Sequence, residues 1–193
     1  MKLLLSKLGS SLGELMLVSD ETGSIRALDF VDHQARCHRY LRAHFQDFES
    51  VNATMPPAIA EALNAYFDGD LSALNKLAIA PAGTEFQRSV WAQLRLIPPG
   101  ETTYYGEIAR QLGFSDPRKA IDVGVANGTN PIAIVVPCHR VIAKNGDLKG
   151  YAWGLHRKRW LLEHEGAQPA MPAKRNVNAS LSLPGFATSQ VFE

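Results

Sequence analysis

The stretch IVVPCHRVIAKNGDLKGYAWG, residues 134–154, sets a cysteine beside a histidine, directly behind the proline that ends an apolar run. Cys138 is one of only two cysteines in the chain, the other being Cys37. A thiol with a pKa of ~8.5 is mostly protonated at neutral pH, so a reactive cysteine needs a base or a positive field beside it. His139 is the obvious base. Sequence neighbours point to opposite sides of an extended chain, which predicts a proton relayed through water rather than a direct bond between the two side chains. The imidazole in turn needs an acceptor to fix its tautomer. Glu163 and Glu165, at the end of the following helix, are the nearest carboxylates by architecture.

Two blander readings compete. A lone buried cysteine is often a small apolar filler. A structural zinc site usually takes four ligands, and beyond Cys138 and His139 there are only His156 and His164, with no spacing that completes a set. His33 and Cys37 share a helix face at i and i+4, but two ligands do not close a site, so no metal is expected.

Downstream, GLHRKRWLLEHEG (154–166) reads as an amphipathic helix with a basic first half and Gly166 as its stop. Residues 169–193 lack sustained periodicity and read as a flexible tail. Upstream, IAIVV (132–136) reads as extended or strand from its β-branched content. FSDPRKAIDVGVANG (114–128) reads as a helix with Ser115 and Asp116 as caps and Pro117 in its first turn. A further helix ends at Gly113, and Ala109 and Gly113 suit the corner of a helix-turn-helix. EFQRSVWAQLRLI (85–97) is strongly helical, and LAIAPAGTEFQ (77–87) reads as the crossing from a first domain. In that first domain, residues 14–20 and 24–32 read as a hairpin, followed by helices over 32–45 and 58–70.

The 193 residues suffice for one sizeable domain or two small ones without disulfide or metal support. No secretory leader is recognisable and cysteines are sparse, which predicts a reducing cytoplasm. No apolar run approaches the ~20 residues that span a bilayer, so no membrane role is expected. Net charge is +1, but residues 1–83 carry 7 basic and 10 acidic side chains whereas 84–168 carry 11 and 8. That swing is modest and reads first as ordinary variation between solvated surfaces; it points to a polyanion only where other features agree.

NPIAIVVPCHRVI (130–142), then GDLKGYAWGLHRKRWLLEHE (146–165), together with FQRSVWAQLRLIPPGETTYYGEIARQLG (86–113), closely resembles the active-site region of the O6-alkylguanine-DNA alkyltransferases, the methylated-DNA–protein-cysteine methyltransferases. The resemblance covers most of residues 84–166; the first 80 match in general layout. It implies an α+β protein: an amino-terminal domain (1–80) with a small β-sheet and helices in a ribonuclease H-like layout, and a carboxy-terminal helix-turn-helix, winged-helix-like domain (84–168). It implies that Cys138 accepts the alkyl group, with His139 as base through water, Glu165 orienting the histidine and Asn130 bracing the turn. Tyr105 would crowd the target phosphate and protonate guanine N3. Val141, Tyr151, Ala152 and Trp153 would line or rim the guanine pocket, and Tyr105, Arg118, Ile121, Gly124 and Arg140 would meet DNA. The implied partner is double-stranded DNA bearing O6-alkylguanine, with O4-alkylthymine as a related target. The implied protein is a monomer without a cofactor that acts once per molecule, because nothing in the sequence could cleave the thioether formed.

The chain departs from that pattern at two places. Relatives carry Arg-Ala where this chain has Ile121-Asp122, so the residue that holds the place of a flipped base is apolar here, with Arg118 one turn earlier as a substitute. Trp153 stands where many relatives have glycine, and at a pocket rim it would disfavour large alkyl groups; its ordinary reading is a partly exposed packing residue. A non-catalytic module that binds alkylated bases and a thiol redox sensor remain as alternatives of other classes.

Overall fold

The computed structural model describes residues 1–167, so the expected tail over 169–193 lies outside the described residues. Strands β1 (Lys2–Leu8), β2 (Leu15–Asp20) and β3 (Ile25–Phe30) are followed by helix α1 (Gln34–His44), strand β4 (Glu49–Asn52) and helix α2 (Pro57–Phe67). The sheet order is β3-β2-β1-β4, with β1 antiparallel to β2, β2 antiparallel to β3, and β4 parallel to β1. The β2–β3 hairpin follows from its sequence pattern. Strands β1 and β4 were not anticipated: β1 is a run of leucines with no turn signal before it, and β4 is four residues long and mostly exposed.

Strand β2 is buried at every position, and its period of two sorts the side chains onto opposite faces. Met16 and Val18 pack with Leu3, Ala27, Cys37 and Leu41 under α1, whereas Leu15 and Leu17 join a larger core that runs into the second half of the chain. Cys37 is thus an apolar filler, its thiol pushed up to about 12 by burial. No cluster of three or more potential metal ligands occurs among the described residues.

The second half is helical: α3 (Glu85–Leu94), α4 (Tyr105–Gln111), α5 (Lys119–Gly128) and α6 (Leu155–His164). Thr84 and Gln87 close a reciprocal cap at the start of α3. Gly113, at φ 86°, turns the corner between α4 and α5. Helix α5 starts later than its caps suggested, because Asp116 accepts the Arg118 N–H at 2.9 Å and residues 117–118 form a turn. Trp91 Nε1 donates to Ala126 O at 2.8 Å and ties α3 to α5. No helix among the described residues is long and apolar enough to cross a membrane.

The outer edge of β3 is covered at both ends by later parts of the chain, which protects its free backbone groups. Ile25 pairs with Ile79, and Leu28 pairs with Ile132. Leu28 donates to Pro131 O at 3.0 Å and accepts from Ala133 N at 2.7 Å. IAIVV is therefore not a strand. Only Ile132 bridges; the chain then turns through Ile134 at φ 65°, a left-handed conformation that costs a β-branched residue about 1–2 kcal/mol.

A polar latch joins the same two regions. Asp29, 1% exposed, accepts from Trp153 Nε1 and from Arg36 at 3.2 Å. Arg36 also donates to Asn130 O at 2.5 Å and lies 4.6 Å from the centre of the Trp153 ring. Burial pushes the Asp29 carboxyl up against the opposing charge of Arg36. Arg36→Ala leaves a buried carboxylate without its cation and is expected to cost on the order of 3 kcal/mol, read as a lower urea midpoint at unchanged slope.

Candidate active site

Asn130 is fully buried and organises the turn that carries the thiol. Its Oδ1 accepts from Ile132 N at 2.9 Å. Its Nδ2 donates to Val136 O at 2.9 Å, to Ile132 O at 3.2 Å and to Cys138 Sγ at 3.2 Å. One amide thus holds the strained turn and meets the sulfur that follows it. Cys138, His139 and Arg140 form a single 3₁₀ turn, all three buried. Cys138 is 3% exposed, and burial pushes its thiol up, offset only in part by the Asn130 bond and the charges of Lys158 and Arg36.

The buried carboxylate of Glu165, just past α6, gathers the neighbours of that turn. Its Oε1 accepts from His139 Nε2 at 2.9 Å, from Arg140 Nη2 at 2.8 Å and from Tyr66 Oη at 2.7 Å, and its Oε2 accepts from Arg140 Nε at 2.8 Å. Burial opposes its charge, but the bonds from Arg140 and His139 prevail and hold the carboxyl well below its ordinary range. Burial also keeps His139 below its ordinary pKa, against the pull of Glu165. The resting pair is therefore neutral imidazole and neutral thiol. Glu163 takes no part in these bonds.

Arg140 was expected at DNA and is instead internal: its remaining nitrogen donates to Ile97 O at 2.5 Å, and 6% of the residue is exposed. A buried carboxylate demands a buried cation, and the residue next to the histidine supplies it. Trp153 is likewise corrected. It is fully buried with its indole N–H on Asp29, so it is a core residue that fastens the two halves rather than a rim residue. At Val141 both backbone groups are already engaged, the N–H with Cys138 O and the carbonyl with Lys158 Nζ at 2.6 Å. Ala152 and Tyr151 are half-buried. The Tyr151 hydroxyl is enclosed without a protein partner among the described residues, and its ring meets His139 edge-on at 6.5 Å.

On the helix-turn-helix, the Tyr105 ring lies against Gly124, where a Cβ would come within 3.2 Å of it. Gly124 thus seats the tyrosine by having no side chain. Ile121 and Val125, one turn apart on α5, are 69% and 63% exposed. The cations beside them are closed into local pairs, Arg118 with Asp116 at 2.9 Å and Lys119 with Asp122 at 2.8 Å.

Tyr66, Arg36 and Lys158 were missed. Lys158 is 1% exposed, donates to the carbonyls of Val141, Lys149 and Gly150, and has its pKa lowered to about 8 by burial. It clamps the loop between the 3₁₀ turn and α6. Its position on the face shared with Leu161 and Leu162 was a usable signal, hidden by the basic residues around it. Tyr66 and Arg36 lie some 70 to 100 positions from Cys138 in sequence, and no local pattern links them to it.

Residues 85–167 match the DNA binding domain of 6-O-methylguanine DNA methyltransferase, and residues 3–81 match its ribonuclease-like domain. A methylated-DNA–protein-cysteine methyltransferase from Salmonella typhimurium is 46% identical over 168 residues, which are 86% of this chain and 97% of that protein. Another, from Methanosarcina acetivorans, is 42% identical over 82% of this chain and 95% of that protein. The crystal structure of Mycobacterium tuberculosis OGT in complex with DNA superposes with a TM-score of 0.69 at 38% identity, covering 84% of this chain and 92% of that one. A Cys-His-Glu cluster beside a helix-turn-helix, both domains matched in order, and this identity over most of its length lead to one conclusion: the chain belongs to the 6-O-methylguanine DNA methyltransferase family.

Proposed function

We propose that the protein repairs O6-alkylguanine in double-stranded DNA by moving the alkyl group to Cys138 in one irreversible turnover. DNA repair by alkyl transfer to a cysteine is the activity of the family. The lesion is the one the family resemblance implies, and the roles given to individual residues are our reading of the site. The observation that carries this reading is the His139 ring, fixed on one side by Glu165 and unpartnered on the other.

Because ionised Glu165 accepts from Nε2, the ring proton sits there and the lone pair sits on Nδ1. Nδ1 is buried and has no protein partner among the described residues. It takes the Cys138 proton through a bridging water. The thiolate attacks the alkyl carbon in line with the bond to guanine O6. An S–C bond forms, the C–O6 bond breaks, and its electron pair stays with guanine. Tyr105 gives guanine a proton at N3 and recovers one from solvent, to which the imidazolium also yields its own. The thiolate of a thioether is a poor leaving group, and none of the described residues bonded around Cys138 is placed to cleave it.

A thiol this buried is out of reach of a base stacked in a duplex, so the nucleotide must rotate out, at a cost of a few kcal/mol. Ile121 then enters the gap as an apolar wedge, as side chains of this type do in other proteins that unstack bases. Cys37 and Cys138 are free thiols, which suits a reducing cytoplasm. The raised thiol pKa argues against a redox sensor, which needs a thiolate at rest.

Incubation with duplex DNA holding O6-methylguanine should add one methylene (~14 Da) to Cys138, read by intact mass. Cys138→Ser should abolish that gain while changing DNA affinity less than about two-fold; loss of both would displace the cysteine from this role. Since neutral His139 is the base, the transfer rate should fall as pH drops through a value below the ordinary histidine range. Glu165→Gln should slow transfer and move that acid limb lower still. Ile121→Arg should raise the rate on duplex DNA by about three-fold or more and leave the rate on free O6-benzylguanine unchanged; equal changes on both would contradict the wedge.

A further inference from the structure

We propose that Tyr66, contributed by α2 of the ribonuclease-like half, is a positioning residue for the proton relay: its hydroxyl shares the Glu165 oxygen that fixes His139 and so sets how strongly that carboxylate holds the imidazole. The inference rests on the reading of His139 as the base.

Three donors converge on Oε1, namely Tyr66 Oη at 2.7 Å, Arg140 Nη2 at 2.8 Å and His139 Nε2 at 2.9 Å, whereas Oε2 receives one. An oxygen with two lone pairs divides its charge among three partners, so each donor weakens the hold on the others. Tyr66 is fully buried, and burial together with the Glu165 charge keeps its phenol protonated, so it donates throughout the working pH range. The tyrosine is fixed from both halves of the molecule. Its carbonyl is 2.7 Å from His164 Nε2 on α6, and its ring meets Phe67 and His164 edge-on. Trp160 stacks on His164 and completes the bracket.

Among the described residues, the other charged or titratable groups around this cluster are Cys138, Arg140 and Tyr151 on the turn and loop, Arg157, Lys158 and His164 on α6, Tyr105 on α4, and Arg36 on α1. Of these only Arg140 also bonds Glu165. Removing the Tyr66 hydroxyl therefore returns negative charge to His139 alone among the titrating groups. That favours the imidazolium and moves the acid limb of the rate upward, opposite in sign to Glu165→Gln.

The test is the single-turnover rate on free O6-benzylguanine against pH, read by intact mass, for wild type and Tyr66→Phe. The expected result is an upward shift of the acid limb, with the rate at about pH 5.5 falling roughly two- to five-fold further below its plateau than in wild type. A uniform drop with the limb unmoved would reduce Tyr66 to a packing residue and overturn the inference. A difluorinated tyrosine at position 66, a stronger donor of the same shape, should move the limb downward, and no movement there also overturns it even where the phenylalanine variant misfolds. If the wild-type limb persists in His139→Gln, the base assignment fails and takes this inference with it; an unmoved limb at position 66 alone leaves that assignment standing.

Discussion

The negative charge of Glu165 lies inside the protein, and much of the surrounding structure exists to satisfy it. An isolated carboxylate there would be protonated or would destabilise the fold by several kcal/mol. Four donated hydrogen bonds, two of them from one guanidinium, keep it ionised. Because those donors come from α2 and the 3₁₀ turn, and the acceptor from the end of α6, the charge can be satisfied only when all three are packed together. Packing and acid-base chemistry are thus one constraint. The carboxylate fixes the histidine tautomer, and the arginine limits how basic the histidine becomes.

Asn130 imposes a second constraint a few residues away. Its amide replaces the hydrogen bonds that a strand through residues 132–136 would have made, which lets the chain turn sharply and deliver Cys138 to the place where Nδ2 meets the sulfur. The left-handed Ile134 is the local cost of that turn. It is tolerated because the turn is hydrogen bonded to the edge of β3 on one side and held by Arg36 on the other. The ribonuclease-like half is therefore part of the reactive site, through the β3 edge, the Asp29–Arg36–Trp153 latch and Tyr66. Helix α5 is built differently: Ile121 and Val125 are exposed, and the cations at its start, Arg118 and Lys119, are closed by neighbouring aspartates.

Much of this was legible in the chain itself. The Pro-Cys-His-Arg run, the spacing to Glu165, the hairpin, the helices and the Gly113 corner depend on contacts between near neighbours or on a family pattern carried by adjacent residues. Arg140 and Trp153 misled because an arginine beside a reactive pair and a tryptophan beside a loop look like surface residues until their partners are known. Those partners, Glu165 and Asp29, are 25 and 124 positions away. Strand β1 went unread because its leucines become a strand only between β2 and β4.

The sequence by itself thus determined the candidate thiol, imidazole and carboxylate, most of the helices and the class of chemistry, since those three groups have fixed intrinsic reactivities. Only the tertiary structure decided the protonation state of each, which of two carboxylates meets the histidine, and that a tyrosine from the first half shares that carboxylate. Those properties follow from burial and from distances between remote segments, and neither exists until the chain has folded.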